Sequence, residues 1–365
     1  MYDETAQTNP FRVILENDQD LIEMILRGNR VAARGVCRQF RDLQPRPMVT
    51  VGTTSDGRAY RRRNPDDDEL EPQSAAEMLA MQQSMRVVGL HCTYSGDRFG
   101  TVMQVLPQYE ALTRFELDYT PERRANPPER RPYRPEAEAE QHGENMARLA
   151  AVLPLCERLA DLEVSGAQNH NRESAGPLAT ALPRCTSLTR LALYGTDVAI
   201  DFGERALPAA LGQCRSLRHL LLDHMNISDM DMRRLAAVLP QCTSLSSLSL
   251  QFNFFRDDGT RHLAAVLPQC TSLAELSLAD NTIGSRGVRH LAEVLPQCTS
   301  LTRLDLQGNV MGTEGAGHLA RVLPQCTWLT ALDLRSNGVD AAGRARIGDV
   351  LERCGSSLQP FQRFY

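Results

Sequence analysis

The sequence predicts an α/β solenoid, a horseshoe with short strands stacked into a parallel concave sheet and helices outside. The first observation is a cysteine ladder: Cys156, Cys185, Cys214, Cys242, Cys270, Cys298, Cys326 and Cys354 are separated by 29, 29, 28, 28, 28, 28 and 28 residues. A fixed period in this range marks a repeat array. The second is the apolar pattern inside each period, Leu273-x-x-Leu276-x-Leu278-x-x-Asn281-x-Ile283, which alternates as a strand does. The third is the step of four from Gly287 through Leu291 to Leu295, one face of a helix.

Each unit is therefore strand, turn, helix. The strand signature recurs at Met85, Leu112, Leu159, Leu188, Leu217, Leu245, Leu273, Leu301 and Leu329, with a poorer start near Met48 and a truncated end at Leu358. A right-handed coil of such units lays the strands side by side in one sheet. Helices are about 10 Å wide and strands about 4.8 Å apart, so the stack curves with its strands inside.

This pattern resembles leucine-rich repeats, in particular the long-unit type of ribonuclease inhibitor, Ran GTPase-activating protein and innate-immune sensor arrays. The resemblance covers residues 85–357, with an insertion loop at 120–145 and a C-terminal cap at 358–365. It implies an asparagine after each strand whose side chain bonds backbone groups at the turn, and Asn253, Asn281, Asn309 and Asn337 occupy that place. Earlier units carry Thr93, Thr120, Ala167, Thr196 and Met225 there, so the first half is expected to be less regular.

The cysteines read as small residues packed where helix turns back to strand, since stacked repeats offer one thiol per layer and zinc needs four ligands around one point. His262, His290 and His318 form a second ladder on the helix side with the same consequence. Gly315-x-Gly317-x-x-Ala320 formally matches a dinucleotide fingerprint, but Gly315 only fills the glycine column shared with Gly259 and Gly287. A nucleophile elbow, a paired-histidine zinc motif, a Cys-x-x-Cys pair and an EF-hand loop are absent. All 40 basic residues are arginine, which excludes lysine-based chemistry. No cofactor, no metal and no enzymatic activity are expected.

Residues 10–43 differ from the array. Leu21, Ile22, Ile25 and Leu26 make an amphipathic helix, Gly28-Asn29 a break, and Val31 to Leu43 a second helical segment. Val36, Cys37, Arg38, Phe40 and Leu43 resemble the ending of an F-box, and the preceding apolar helix fits too, while its Leu-Pro opening is absent. The resemblance implies that Leu21, Ile22, Ile25, Val36, Cys37 and Phe40 bind a Skp-type adaptor of a cullin-RING ubiquitin ligase, with the array selecting the substrate. The alternative for the same helices is a plain cap over the first repeat.

Residues 44–84 read as a linker with a degenerate first repeat beginning at Met48 to Val51. The stretch from about Thr120 to Asn145 reads as a surface loop, because residues 121–135 hold five prolines and five arginines.

A net charge of −5 disfavours phosphate-driven nucleic-acid binding, and no apolar run reaches membrane-spanning length. A monomer in the cytoplasm or nucleus, without a signal peptide, is expected. Partner binding is expected on the concave face, where Arg190, Tyr194, His219, Asp223, His224, Phe252 and Phe254 offer aromatics flanked by charge. Two further functional readings stand beside the ligase receptor: a repeat scaffold or inhibitor, and a GTPase-activating protein.

Overall fold

The computed structural model describes residues 11–13, 48–52, 89–94, 103–104, 106–110, 112–119, 135–166, 175–194, 206–353 and 359–360. The F-box-like residues Leu21, Ile22, Ile25, Val36, Cys37 and Phe40 lie outside them. The chain divides into two compact units, Met1–Asn169 and His170–Tyr365.

In the first unit five strands lie side by side in chain order: β1 (Phe11–Val13), β2 (Met48–Gly52), β3 (Gly89–Tyr94), β4 (Arg114–Tyr119) and β5 (Asp161–Gly166). β1 is antiparallel to β2, and the others pair in parallel. Residues 120–145 were expected to be loop throughout, and the structure corrects this at its C-terminal end: helix α1 spans Pro135–Val152. Proline at the first helical position needs no backbone N–H, and Glu136, Glu138 and Glu140 suit the positive helix N-terminus. The C-terminal end of the expected loop is thus a helix start.

The second unit holds parallel strands β6 (Arg190–Tyr194), β7 (His219–Leu221), β8 (Ser247–Ser249), β9 (Glu275–Ser277), β10 (Arg303–Asp305), β11 (Ala331–Asp333) and β12 (Gln359–Pro360). Between them run α2 (Ala175–Ala181, before β6), α3 (Ala206–Leu211), α4 (Asp229–Ala236), α5 (Asp257–Ala264), α6 (Ser285–Val294), α7 (Gly312–Val322) and α8 (Ala341–Arg353).

One repeat explains the rest. Leu276 and Leu278 point to one side of β9 and are buried, as are Ile283, Val288, Leu291 and Leu295 from the turn and helix. The opposite face of α6 is polar, with Arg289 and Glu293 paired four residues apart at 3.5 Å. Leu295–Gln297 then tightens into a 3-10 turn with proline near its start, which ends the helix. The Cys298 amide closes that turn on the Leu295 carbonyl, and its thiol donates to the Val294 carbonyl at 3.4 Å. The same thiol bond recurs at Cys185, Cys242, Cys270 and Cys326.

Burial raises these thiols: Cys185, Cys242, Cys270 and Cys298 to about 11, and Cys214 to about 12. The ladder is a set of neutral packing groups.

Two further ladders join repeat to repeat. Asn253 Nδ2 donates to the Leu222, Leu250 and Gln251 carbonyls, and its Oδ1 accepts from the Met225 and Ile227 amides at 3.0 Å. Asn281, Asn309 and Asn337 make the same three donations. Asp229 Oδ1, at the start of α4, accepts from the Arg256 and Gly259 amides at the start of α5. Asp257 repeats this toward Gly284 and Gly287 of α6. Helices α5 and α6 are thus each capped by the helix before it, whereas α4 is capped by its own Ser228 and Asp231.

Candidate functional site

Strand register in the second unit arranges the sheet face that points away from the core into three rows. The first is Arg190, His219, Ser247, Glu275, Arg303 and Ala331, with Arg303 and Glu275 paired at 3.6 Å. The second is Ala192, Leu221, Ser249, Ser277, Asp305 and Asp333. Two residues further on lie Tyr194, Asp223, Gln251, Ala279, Gln307 and Arg335.

Polar groups on this face largely bind one another. Asp223 Oδ1 accepts from the Ser249 hydroxyl at 2.6 Å and the Gln251 amide at 2.9 Å. Asp305 accepts from the Ser277 hydroxyl and the Gln307 amide. Arg335 holds Asp333 in a bidentate pair and reaches Gln307 Oε1 at 2.7 Å. Burial lifts the carboxyls of Asp223 and Asp305 above their ordinary value, with those hydrogen bonds opposing the rise.

Arg190 donates to the Tyr194 hydroxyl at 3.4 Å. In the first unit Arg114 pairs with Glu116 and, at 3.4 Å, with Asp161.

Four of the seven residues expected to bind a partner, Arg190, Tyr194, His219 and Asp223, lie in these rows. His224, Phe252 and Phe254 do not: the structure places them in the turns that lead from strand to helix. Strand alternation ends at residue 251 and its equivalents, because the next residue turns left-handed, with φ of 58° at His224, 53° at Phe252, 51° at Asp280, 68° at Gly308 and 54° at Ser336. The sequence contains this column at period 28, with Gly308 as its plain signal.

In the second unit the rim formed by these turns carries exposed apolar groups, while Leu155 is exposed in the first unit. Phe252 is 44% exposed, Phe254 64% and Val310 63%, and Met230 in the first turn of α4 is 53% exposed. The rings of His224 and Phe252 stack nearly parallel, with centroids 4.3 Å apart and planes 6° apart. Phe255, next to Phe254, is fully buried and fixes the turn from below.

Among the described residues no group of three or more His, Cys, Asp or Glu is placed to hold a metal ion, and no helix is long and apolar enough to cross a membrane. His290 and His318 instead lie near Glu293 and Glu314 of their own helices.

Residues 151–256 match the family described as the leucine-rich repeats of an FBD-associated F-box protein. Residues 269–292, 297–320 and 325–348 each match a leucine-rich repeat. Among solved structures the chain is similar to an internalin of Listeria monocytogenes, at 17% identity and a TM-score of 0.38 over 76% of this chain and 75% of that one. It is also similar to the tropomodulin C-terminal domain of Caenorhabditis elegans, at 16% identity and a TM-score of 0.35 over 48% of this chain and 90% of that one. The corresponding values for actin-binding site 2 of leiomodin-1 are 17%, 0.32, 48% and 86%. No curated protein sequence matches.

Proposed function

Because the chain is a leucine-rich repeat protein that exposes aromatic rings beside one face of its sheet, we propose that it binds a protein partner there. The observation that carries this reading is the exposure of Phe252 and Phe254 beside the stacked His224 ring. Rings that are held rigid and left open to solvent supply contact area at little entropic cost. The sheet rows from Arg190 to Asp223 flank these rings with polar groups.

The ligase assignment is the finer part of the proposal. It rests on the F-box-like residues Leu21, Ile22, Ile25, Val36, Cys37 and Phe40, and on the match of residues 151–256 to repeats of an F-box protein. In this reading the N-terminal segment engages a Skp-type adaptor and the array presents the substrate. Copurification with such an adaptor, lost in Ile25→Asp and Phe40→Asp, is the expected result. A chain that ignores the adaptor in a pull-down leaves a scaffold without a ligase link.

The sheet-side reading has its own test. A photo-crosslinking residue at Phe254 is expected to capture a partner, whereas the same residue at Arg289 on the outer face of α6 is not. Equal capture from both positions contradicts it.

A further inference from the structure

We infer that the His224–Phe252 stack is an aromatic shelf that receives an arginine side chain of the partner, with Asp280 supplying the countercharge. This rests on the protein-binding reading above and specifies its chemistry.

The first argument is conformational. The column 224, 252, 280, 308, 336 requires a left-handed backbone, and glycine fills it without strain at Gly308. At two adjacent places the chain instead puts His224 and Phe252, with φ of 58° and 53°. A bulky residue such as Phe252 at such an angle is an outlier that costs free energy. The folded core gains little in return, because Phe252 is 44% exposed and His224 is exposed as well. The position is strained and solvent-facing, so the rings are explained by something they meet outside the fold.

The second argument is geometric. With the planes 6° apart and the centroids separated by 4.3 Å, the two rings stack face on face, so His224 backs one face of Phe252 and the outer ring faces are left. A planar guanidinium lies well on the outer face of the Phe252 ring, where the ring quadrupole attracts its charge. Phe254, exposed two residues on, offers an apolar surface for the methylene stem.

The third argument is charge. Residues 223–230 and 251–258 of this rim include Asp223, Asp229, Asp257 and Asp258 against Arg256. Asp229 and Asp257 are occupied by helix amides, and Asp258 pairs with Arg261 at 3.5 Å. Asp280 stands in the shelf's own column one repeat on, its carboxylate so close beside Gly308 that a Cβ built there would overlap Oδ1. A basic group is favoured at this edge and an acidic one is repelled.

The experiment uses the full chain with ring-labelled phenylalanine and three probes: acetyl-arginine methylamide, its citrulline analogue and acetyl-leucine methylamide. Citrulline keeps the shape and removes the charge. Saturable shifts of the Phe252 resonance by the arginine probe at millimolar concentration are expected, with citrulline and leucine weaker by about threefold or more. Phe252→Gly is expected to abolish the shifts felt at Phe254 while leaving the fold intact, since glycine natively fills this column at Gly308. Asp280→Asn is expected to weaken arginine binding by about twofold or more and to leave the leucine probe unaffected.

Equal binding of arginine and citrulline, or no shift at tens of millimolar, overturns the inference. If the probes fail while a crosslinker at Phe254 still captures a protein, the binding role stands and the arginine assignment falls. If both fail, both fall.

Discussion

Removing the Asp257 carboxylate is expected to uncouple α5 from α6. Helix α6 begins after Gly284, which has no side chain with which to cap its own amides. The acceptor comes from the preceding repeat, where Asp257 Oδ1 receives the Gly284 amide at 2.7 Å and the Gly287 amide at 2.9 Å. A hydrogen bond to a charged group contributes about 1.5–3 kcal/mol where both groups leave water, and a helix cap typically about 0.5–2 kcal/mol. Asp257 is half-buried, so water recovers part of the loss, and about 2 kcal/mol is the expected effect of Asp257→Ala. Asp257→Asn keeps the oxygen and loses only the charge, so about 1 kcal/mol or less is expected.

Because the bonds lie between repeats, the lost free energy belongs to an interface between neighbours. Urea unfolding of the alanine variant should therefore broaden or split, and amide exchange should rise at the start of α6 before it rises at α4. A midpoint within about 0.5 kcal/mol of the parent protein, or exchange rising uniformly, refutes the reasoning.

Gly287→Ala tests the same joint from the other side: its Cβ would lie 2.7 Å from Asp257 Oδ1 and 3.2 Å from the Asp257 Cα, so about 1–3 kcal/mol of destabilisation is expected by denaturation. Combined with Asp257→Ala the two losses should sum to less than their separate values, since the carboxylate contact has gone. Asn281→Ala removes one of two donors from each of the Leu250, Leu278 and Ala279 carbonyls, which keep Asn253, Asn309 and the Phe252 amide, and should lower stability by about 1–2 kcal/mol in a thermal melt, with Asn281→Asp no better because a carboxylate cannot donate. Native Cys214 and Cys298 should resist alkylation at pH 8, because burial holds their folded values near 12 and 11 against 9.0 for a free thiol. A thiol raised in this way favours the fold while protonated, so its contribution is complete below pH 9 and is lost as pH rises toward 11 to 12, a decline that urea midpoints across that window measure.

The repeat was legible because each core position obeys a spacing rule: Leu276 and Leu278 alternate along a strand, and Val288, Leu291 and Leu295 step along a helix. The asparagine column was legible too, since its role follows from an amide side chain with two donors and an acceptor. Strand alternation, however, cannot be carried past the residue where the backbone turns left-handed. Applied through Phe252 it puts that ring on the sheet, and the Gly308 column was the signal that the strand had already ended. The capping role of Asp229 and Asp257 escaped reading because each acts 27 and 30 residues downstream, beyond any local cap pattern. Helix α1 escaped because the prolines were weighed by composition, where their order, Pro135 followed by acidic residues, signals a helix N-terminus.

The placement of the rings shifts the expected contact from the middle of the sheet toward its rim. A partner seated on the central rows would have to displace bonds already made, those of Asp223 to Ser249, Asp305 to Ser277 and Asp333 to Arg335. Each displaced bond leaves a half-buried carboxylate to be satisfied again, which offsets what the new contact contributes. At the rim no such exchange is required of Phe252, Phe254 or Val310, whose exposed carbons leave water on contact at about 25 cal/mol per Å². On the proposed reading the rows are expected to act as selectors, favouring partners whose polar groups match bonds already in place and rejecting those that strand a carboxylate. Affinity and selectivity are thereby assigned to different columns of one repeat: the strained turn column and the satisfied strand column. Substituting Ser249 should accordingly change which partner binds more than how tightly the arginine probe does, and a common loss at both would dissolve the distinction.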